Sequence, residues 1–184
     1  MITSTSSSQV KHVVNLQKKA KLRKEEKQFV VEGVKMVSEA PADRLVKVYV
    51  SETFKADNEE FLERMNYDSI GKDVLEIVTD NVFMRMADTQ TPQGIMAVVR
   101  MSDTDLEGIL SDKRNPLLLI IENLQDPGNL GTIVRMAEGA GVTGIIMSSN
   151  TVDIYNPKTI RSTMGSLYRC LLYTSPSPRD VEES

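Results

Sequence analysis

"ENLQDPGNLGTIVRMAEGAG", residues 122–141, is the stretch on which the reading of this chain turns. It continues PLLLIIEN (116–123), where the run from Leu117 to Ile121 is apolar without alternation, the pattern of a parallel-sheet strand covered on both faces. A second apolar run, GIIMS (144–148), follows it. Strand, loop, helix and strand make a βαβ unit, whose crossover is right-handed. Asp126, Pro127, Gly128 and Asn129 predict a turn that exposes backbone amides, with Asn129 as N-cap of a helix ending near Gly141. Leu130, Ile133, Val134, Ala137 and Ala140 share one helical face, expected to bury against the sheet, with Gly131, Arg135 and Glu138 roughly opposite. Pattern alone leaves Arg135 open between an exposed i,i+3 pair with Glu138 and a working role. Gly131 and Gly139 count against the first, because glycines weaken a helix and often mark close approach of another surface.

The next segment, TVDIYNPKTIRSTMGSLYR (151–169), opens a further helix at Asn156-Pro157, with Pro in the first turn. Lys158 and Arg161 give that helix cationic groups, and Ser162, Thr163, Gly165 and Ser166 place small polar groups near its end. A dinucleotide-binding reading fails on the motif: Gly128 and Gly131 do not make G-x-G-x-x-G, and no acid stands ready for a ribose at the end of the next strand. There is no P-loop lysine motif and no His/Cys metal cluster; His12, the only histidine, is expected on the surface of the first helix.

Upstream, the pattern changes to a small α/β domain over residues 1–101. Ser6 to Ser8 are expected to cap a helix with Val10, Val13, Val14 and Leu16 on its apolar face. Strands are expected at QFVVEG (28–33), LVKVYVS (45–51), VLEIVT (74–79) and GIMAVVRM (94–101). Helices are expected at VKMVSEA (34–40), EEFLERM (59–65) and DNVFMRMAD (80–88), the last capped by Asp80. The polar stretch 102–115 reads as a linker.

Bulk properties narrow the function classes. No apolar run approaches the roughly 20 residues of a membrane helix, and the N-terminus lacks a signal-peptide core. A single cysteine excludes an intrachain disulfide and a thiolate metal cluster, so the expectation is a reducing, cytoplasmic setting without membrane or metal. The net charge is −4, but KHVVNLQKKAKLRKEEK (11–27) sets seven cations (Lys11, Lys18, Lys19, Lys21, Arg23, Lys24 and Lys27) against Glu25 and Glu26, a local +5 that leaves −9 elsewhere. Such a segment on an acidic body steers toward phosphate, or else is simply a solvated helix face.

Taken together, NLQDPGNLGTIVRMAEGAG and VDIYNPKTIRSTMGSLYR resemble the first two motifs of the SpoU (TrmH) family of RNA ribose 2′-O-methyltransferases, of the SPOUT superfamily, over about Leu117 to Arg169. The first half resembles the small L30-like RNA-binding domain that precedes the catalytic domain in some members. The fold class implied is α/β: an L30-like domain, then a SPOUT parallel-sheet domain of the trefoil-knot class. The resemblance implies S-adenosylmethionine as cofactor, RNA as partner (ribosomal RNA first, transfer RNA second) and a homodimer, which would account for close-approach glycines on the Arg135 helix. By the same resemblance Arg135 is catalytic, binding phosphate and placing the 2′-hydroxyl, while Asn129 positions Arg135 or the substrate. Met164, Gly165 and Ser166 fall in the cofactor-binding second motif. Lys11, Lys18, Lys19, Lys21, Arg23 and Lys24 would hold the RNA backbone. The competing class is a non-catalytic RNA-binding module, for which the first half alone would serve.

The family's third motif, usually Asn-Glu-Gly, has no counterpart here, so the second domain is expected to span 116–169 and to be incomplete. CLLYTSPSPRDVEES (170–184) carries no core-building periodicity, and one choice of codons for it looks like a transposase sequencing adapter read in frame. The expectation is a non-native tail, a Cys170 without function and an inactive chain; the encoding DNA tests the adapter reading.

Overall fold

The structure is a computed structural model that describes residues 1–65, 74–110 and 116–175. The chain divides into two compact units, Met1–Met101 and Ser102–Ser184.

The first unit is built on a four-stranded sheet of order β1-β4-β2-β3, from β1 (Gln28–Glu32), β2 (Leu45–Ser51), β3 (Leu75–Val78) and β4 (Ile95–Arg100). β4 runs antiparallel to both β1 and β2, and β2 runs parallel to β3. All four strands fall where apolar alternation places them. Ile95 to Val99 are all buried, because the sheet is covered on both sides. Met96 and Val98 join Val30 and Tyr49 under α1 (Ser8–Lys18), which contributes Val10, Val13 and Leu16. The described helices of this unit also include α2 (Ala20–Glu26), α3 (Val34–Ser38), α4 (Glu52–Asp57), α5 (Glu59–Met65) and α6 (Asp80–Met86). From α6, Val82, Phe83 and Met86 enter the same core.

Two expected caps differ. Ser7 takes the N-cap position of α1 without a side-chain capping bond. Thr79, not Asp80, caps α6 by accepting from the Val82 amide; the Asp80 carboxylate instead accepts from the Thr53 amide and hydroxyl at the start of α4. Those bonds hold the Asp80 carboxyl below its usual range, because they favour the ionised form.

The basic segment folds as α1 and α2, and one of its cations leaves the surface. Arg23 is 3% exposed, and its Nη1 donates to the carbonyls of Leu16 (2.6 Å) and Gln17 (2.8 Å) at the end of α1. Those carbonyls have no partner within their own helix, so a buried guanidinium serves as the C-terminal cap. This corrects the placing of Arg23 among the RNA-holding cations. His12 is half-exposed and meets Glu26 at 2.6 Å, tying α1 to α2.

In the second unit, β5 (Leu118–Ile121), β6 (Gly144–Met147) and β7 (Leu171–Thr174) form a parallel sheet in that order. The helices are α7 (Leu106–Leu110), α8 (Pro127–Gly139) and α9 (Pro157–Thr163), followed by a 3₁₀ turn at Ser166–Tyr168. Three expectations are corrected. β5 is not covered on both faces, since Leu117 is 52% and Ile120 72% exposed: β5 lies at the sheet edge among the described residues. The expected linker is not all linker. Ile109 of α7 is fully buried, and a Cβ on Gly144 would lie 2.4 Å from its Cγ2, so α7 packs onto the start of β6 (111–115 lie outside the described residues). Finally, Cys170 and Leu172, expected to carry no fold, are buried, and Leu171–Thr174 pairs in register with Gly144–Met147. An apolar run of that length meets the requirement of a parallel strand whatever follows it.

Replacing Arg23 with Met should destabilise the first unit by about 2 kcal/mol, because two buried carbonyls lose a charged donor. Urea unfolding checks this, with Lys19→Met within about 0.5 kcal/mol of wild type as the contrast.

Candidate active site

The candidate site grows from the C-terminal ends of β5 and β6. Parallel strands deliver both following loops to one edge, where α/β sheets usually bind their ligands. Loops 122–126 and 148–152 are laced together there. The Asn123 amide donates to Ser148 Oγ at 3.0 Å and the Val152 amide to the Leu124 carbonyl at 2.8 Å. Gln125 Nε2 reaches the Asn150 carbonyl at 2.5 Å. Asn123 adopts a left-handed conformation with φ 54°, which asparagine tolerates better than most residues. Sequence reading missed Gln125, Ser148 and Thr151 as organisers of this edge; their signal was only a general polar richness.

α8 begins three residues earlier than the expected cap implies, at Pro127. Asp126 is the N-cap, its Oδ1 accepting from the Asn129 amide at 2.7 Å, and Pro127 occupies the first turn. Asn129 therefore lies inside the helix. It is exposed, and its side-chain amide makes no bond with a described residue. Arg135, six residues on, lies about 9 Å along the axis and about 120° around it. The two side chains do not share a face of α8.

The buried face of α8 comprises Leu130, Gly131, Val134 and Ala137; Ile133 is half-buried, and Ala140 is exposed beyond the helix end. Gly131, expected on the outer face, is instead the point where α9 crosses. A Cβ there would stand 2.4 Å from Ser162 Cβ and 2.7 Å from the Thr159 carbonyl. The glycine signal was right about close approach, but the approaching surface is α9 of the same chain. Gly139 has nothing within 4 Å of such a Cβ. Thr159, fully buried beside this crossing, keeps a hydroxyl with no partner among the described residues.

Arg135 is exposed and makes no hydrogen bond or ion pair with a described residue. The i,i+3 pair with Glu138 does not form. Glu138 is taken by Arg169, whose Nε and Nη2 both donate to its carboxylate, the latter at 3.2 Å. Next to them, burial pushes the Cys170 thiol up, Glu138 pushes it further and Arg169 opposes; a poorly ionised buried thiol is a weak nucleophile.

α9 is capped by Asn156, whose Oδ1 accepts from the Lys158 amide at 2.9 Å. It ends in two left-handed residues, Met164 (φ 52°) and Gly165 (φ 96°), which turn the chain sharply into Ser166. Met164 is 43% exposed, while Gly165 is buried and Ser166 is 1% exposed. The Ser166 carbonyl accepts the amides of Arg169 and Cys170, both at 3.1 Å. Among the three expected cofactor residues, Met164 is thus the surface group and Gly165–Ser166 the rigid support. No group of three or more His, Cys, Asp or Glu among the described residues could hold a metal ion, and none of the described helices is long and apolar enough to cross a membrane.

This architecture is an α/β parallel-sheet domain preceded by a separate mixed-sheet domain. Residues 7–97 match the MRM3-like substrate binding domain, and residues 116–183 match the SpoU rRNA Methylase family, so the chain carries a SpoU methylase domain after an MRM3-like one. The second match runs past Arg169 and takes in β7. The chain is 31% identical over 170 residues to rRNA methyltransferase 3, mitochondrial, of Xenopus laevis, covering 89% of this chain and 39% of that protein. It is 34% identical over 107 residues to the 23S rRNA (guanosine(2553)-2′-O)-methyltransferase RlmP of Bacillus subtilis, covering 58% of this chain and 41% of that one. In fold it resembles the AdoMet-bound rRNA methyltransferase of Sinorhizobium meliloti, with a TM-score of 0.79, 23% identity, and coverage of 98% of this chain and 66% of that chain. The chain thus spans about two-fifths of the length of these curated relatives.

Gly131→Ala should force α8 and α9 apart and destabilise the second unit by about 1–3 kcal/mol, because the obstacle is partly backbone. Gly139→Ala should instead stabilise it by roughly 0.5 kcal/mol. Paired thermal unfolding of the two variants checks both signs.

Proposed function

We propose that the protein transfers a methyl group from S-adenosylmethionine to a ribose 2′-hydroxyl of RNA, with ribosomal RNA as the first substrate class and transfer RNA the second. The observation that carries this reading is Arg135: an exposed guanidinium, without a counter-ion among the described residues, on a helix locked by the Gly131 crossing to the segment that leads to Met164–Ser166. Both matched families and the rRNA methyltransferase relatives support it.

The chemistry asks for little covalent help from the protein. When bound, S-adenosylmethionine supplies an electrophilic methyl on a sulfonium. The 2′-hydroxyl must be placed in line with that methyl and lose its proton as it attacks. A guanidinium is a fixed cation and a poor base, so the role of Arg135 is to hold the neighbouring phosphate and set the hydroxyl's position. Asn129 is too far round α8 to touch Arg135, which favours the substrate as what its free amide positions. Met164, Gly165 and Ser166 would hold the cofactor. Their donor set is an exposed thioether on a stiff turn with no charged side chain, which fits a flat, uncharged heteroaromatic group and not a bare ion.

In the first unit, Lys11, Lys18, Lys19, Lys21 and Lys24 are exposed on α1 and α2 and would hold RNA phosphates without choosing sequence. Lys21 meets Glu25 at 3.7 Å, but a pair so exposed contributes little and leaves the lysine available. These lysines alone would serve a non-catalytic RNA-binding module; calorimetric titration with S-adenosylmethionine separates the two, since only the enzyme reading requires binding. We further propose a homodimer and a cytoplasm-like reducing compartment, the latter consistent with the single buried cysteine.

In a full-length homologous chain, Arg135→Ala should lower methyl transfer to ribosomal RNA by about 10²-fold or more with the fold intact, measured with labelled cofactor; wild-type turnover in this variant would overturn the assignment. Reversing Lys18, Lys19 and Lys21 to Glu should weaken RNA binding and reduce the slope of log affinity against log salt by about 2. An unchanged slope would remove these lysines from the RNA surface.

A further inference from the structure

Glu138 has two arginines within reach, and the choice between them matters. Arg135 stands three residues before it on α8, where side chains are neighbours on the helix surface. Arg169 reaches it from the end of the 3₁₀ turn, with the pair's side chains 45% and 29% exposed for Arg169 and Glu138 respectively. The structure gives Glu138 the second contact through two donors, Nε and Nη2, the forked geometry in which guanidinium and carboxylate fit best. Arg169 is preplaced for it, because its own amide is bonded to the Ser166 carbonyl at 3.1 Å. Arg135 is left without a partner among the described residues.

A carboxylate one turn from the phosphate-binding guanidinium is a built-in rival for it. Being on the same helix, it competes at high effective concentration whatever the RNA concentration. Resting on the methyl-transfer reading above, we infer that Arg169 is a positioning residue that sequesters Glu138 and so keeps Arg135 open for an RNA phosphate.

The test is a double-mutant cycle in the whole chain: Arg169→Gln, Glu138→Gln and the two combined. The readouts are the rate at which phenylglyoxal modifies Arg135, mapped by peptide mass, and the affinity for a single-stranded oligoribonucleotide at low salt. Arg169→Gln frees Glu138 to pair with Arg135, and both readouts should fall about two-fold, the scale of an exposed i,i+3 pair. Glu138→Gln removes the rival, and both should stay at the wild-type level. The combined variant should recover what Arg169→Gln lost. A merely structural tether predicts the opposite, with Glu138→Gln and the combined variant losing as much as Arg169→Gln; that pattern, or an Arg169→Gln variant identical to wild type, overturns the inference. An Arg135→Ala variant with undiminished RNA affinity would sink the RNA-phosphate reading by itself, while the phenylglyoxal pattern would still decide which arginine Glu138 holds.

Discussion

The crossing of α8 over α9 at Gly131 is the constraint on which the second unit depends. The two helices meet so closely that the Thr159 carbonyl and the Ser162 side chain occupy the space of a Cβ. One missing methyl therefore sets the distance between the segment carrying Asn129 and Arg135 and the segment that ends at Met164–Ser166. Helices with ordinary side chains at the contact lie 8–10 Å apart. Under the proposed methyl transfer a hydroxyl must be held against a methyl with little misplacement, and a backbone-limited crossing would fix it. The buried Thr159 hydroxyl left without a described partner is a cost accepted next to that crossing.

Charge is arranged by a similar economy in both units. Arg23 and Arg169 are cations that serve the fold: one caps α1 from within, the other holds Glu138. Arg135 and the exposed lysines of α1 and α2 stay at the surface, where the proposed RNA would meet them. The division is not one of residue type, since arginine appears on both sides. It follows burial and the presence of a preplaced acceptor: two bare helix-end carbonyls for Arg23, and a carboxylate across the 3₁₀ turn for Arg169.

Much of the fold was legible in the chain. Alternating runs such as LVKVYVS and unbroken ones such as GIIM placed the strands, because side-chain burial in a sheet has a period short enough to be read locally. Helix ends were less legible: Asn129 and Asp80 are good caps by type, but Asp126 and Thr79 hold the position, because they take the extended backbone (ψ 119° and 153°) that precedes a helix, which composition does not encode. The burial of β5 was misjudged since an apolar run records what a strand could bury and not how many neighbours it has. Likewise the segment after Arg169 looked aperiodic, yet four residues suffice to pair beside β6.

By itself, then, the sequence determined the two-domain α/β order and the βαβ unit, since these rest on local period and residue spacing; Arg135 was singled out only by the resemblance of its motif to the SpoU family. Only the tertiary structure decided the partners. It buried Arg23, turned Gly131 inward onto α9, parted Asn129 from Arg135 around the helix, and gave Glu138 to Arg169 and not to its helical neighbour. Each of these is a contact between separate elements or a rotation about a helix axis. A single sequence carries the groups that can meet there, but which of them do meet is settled by the geometry of packing.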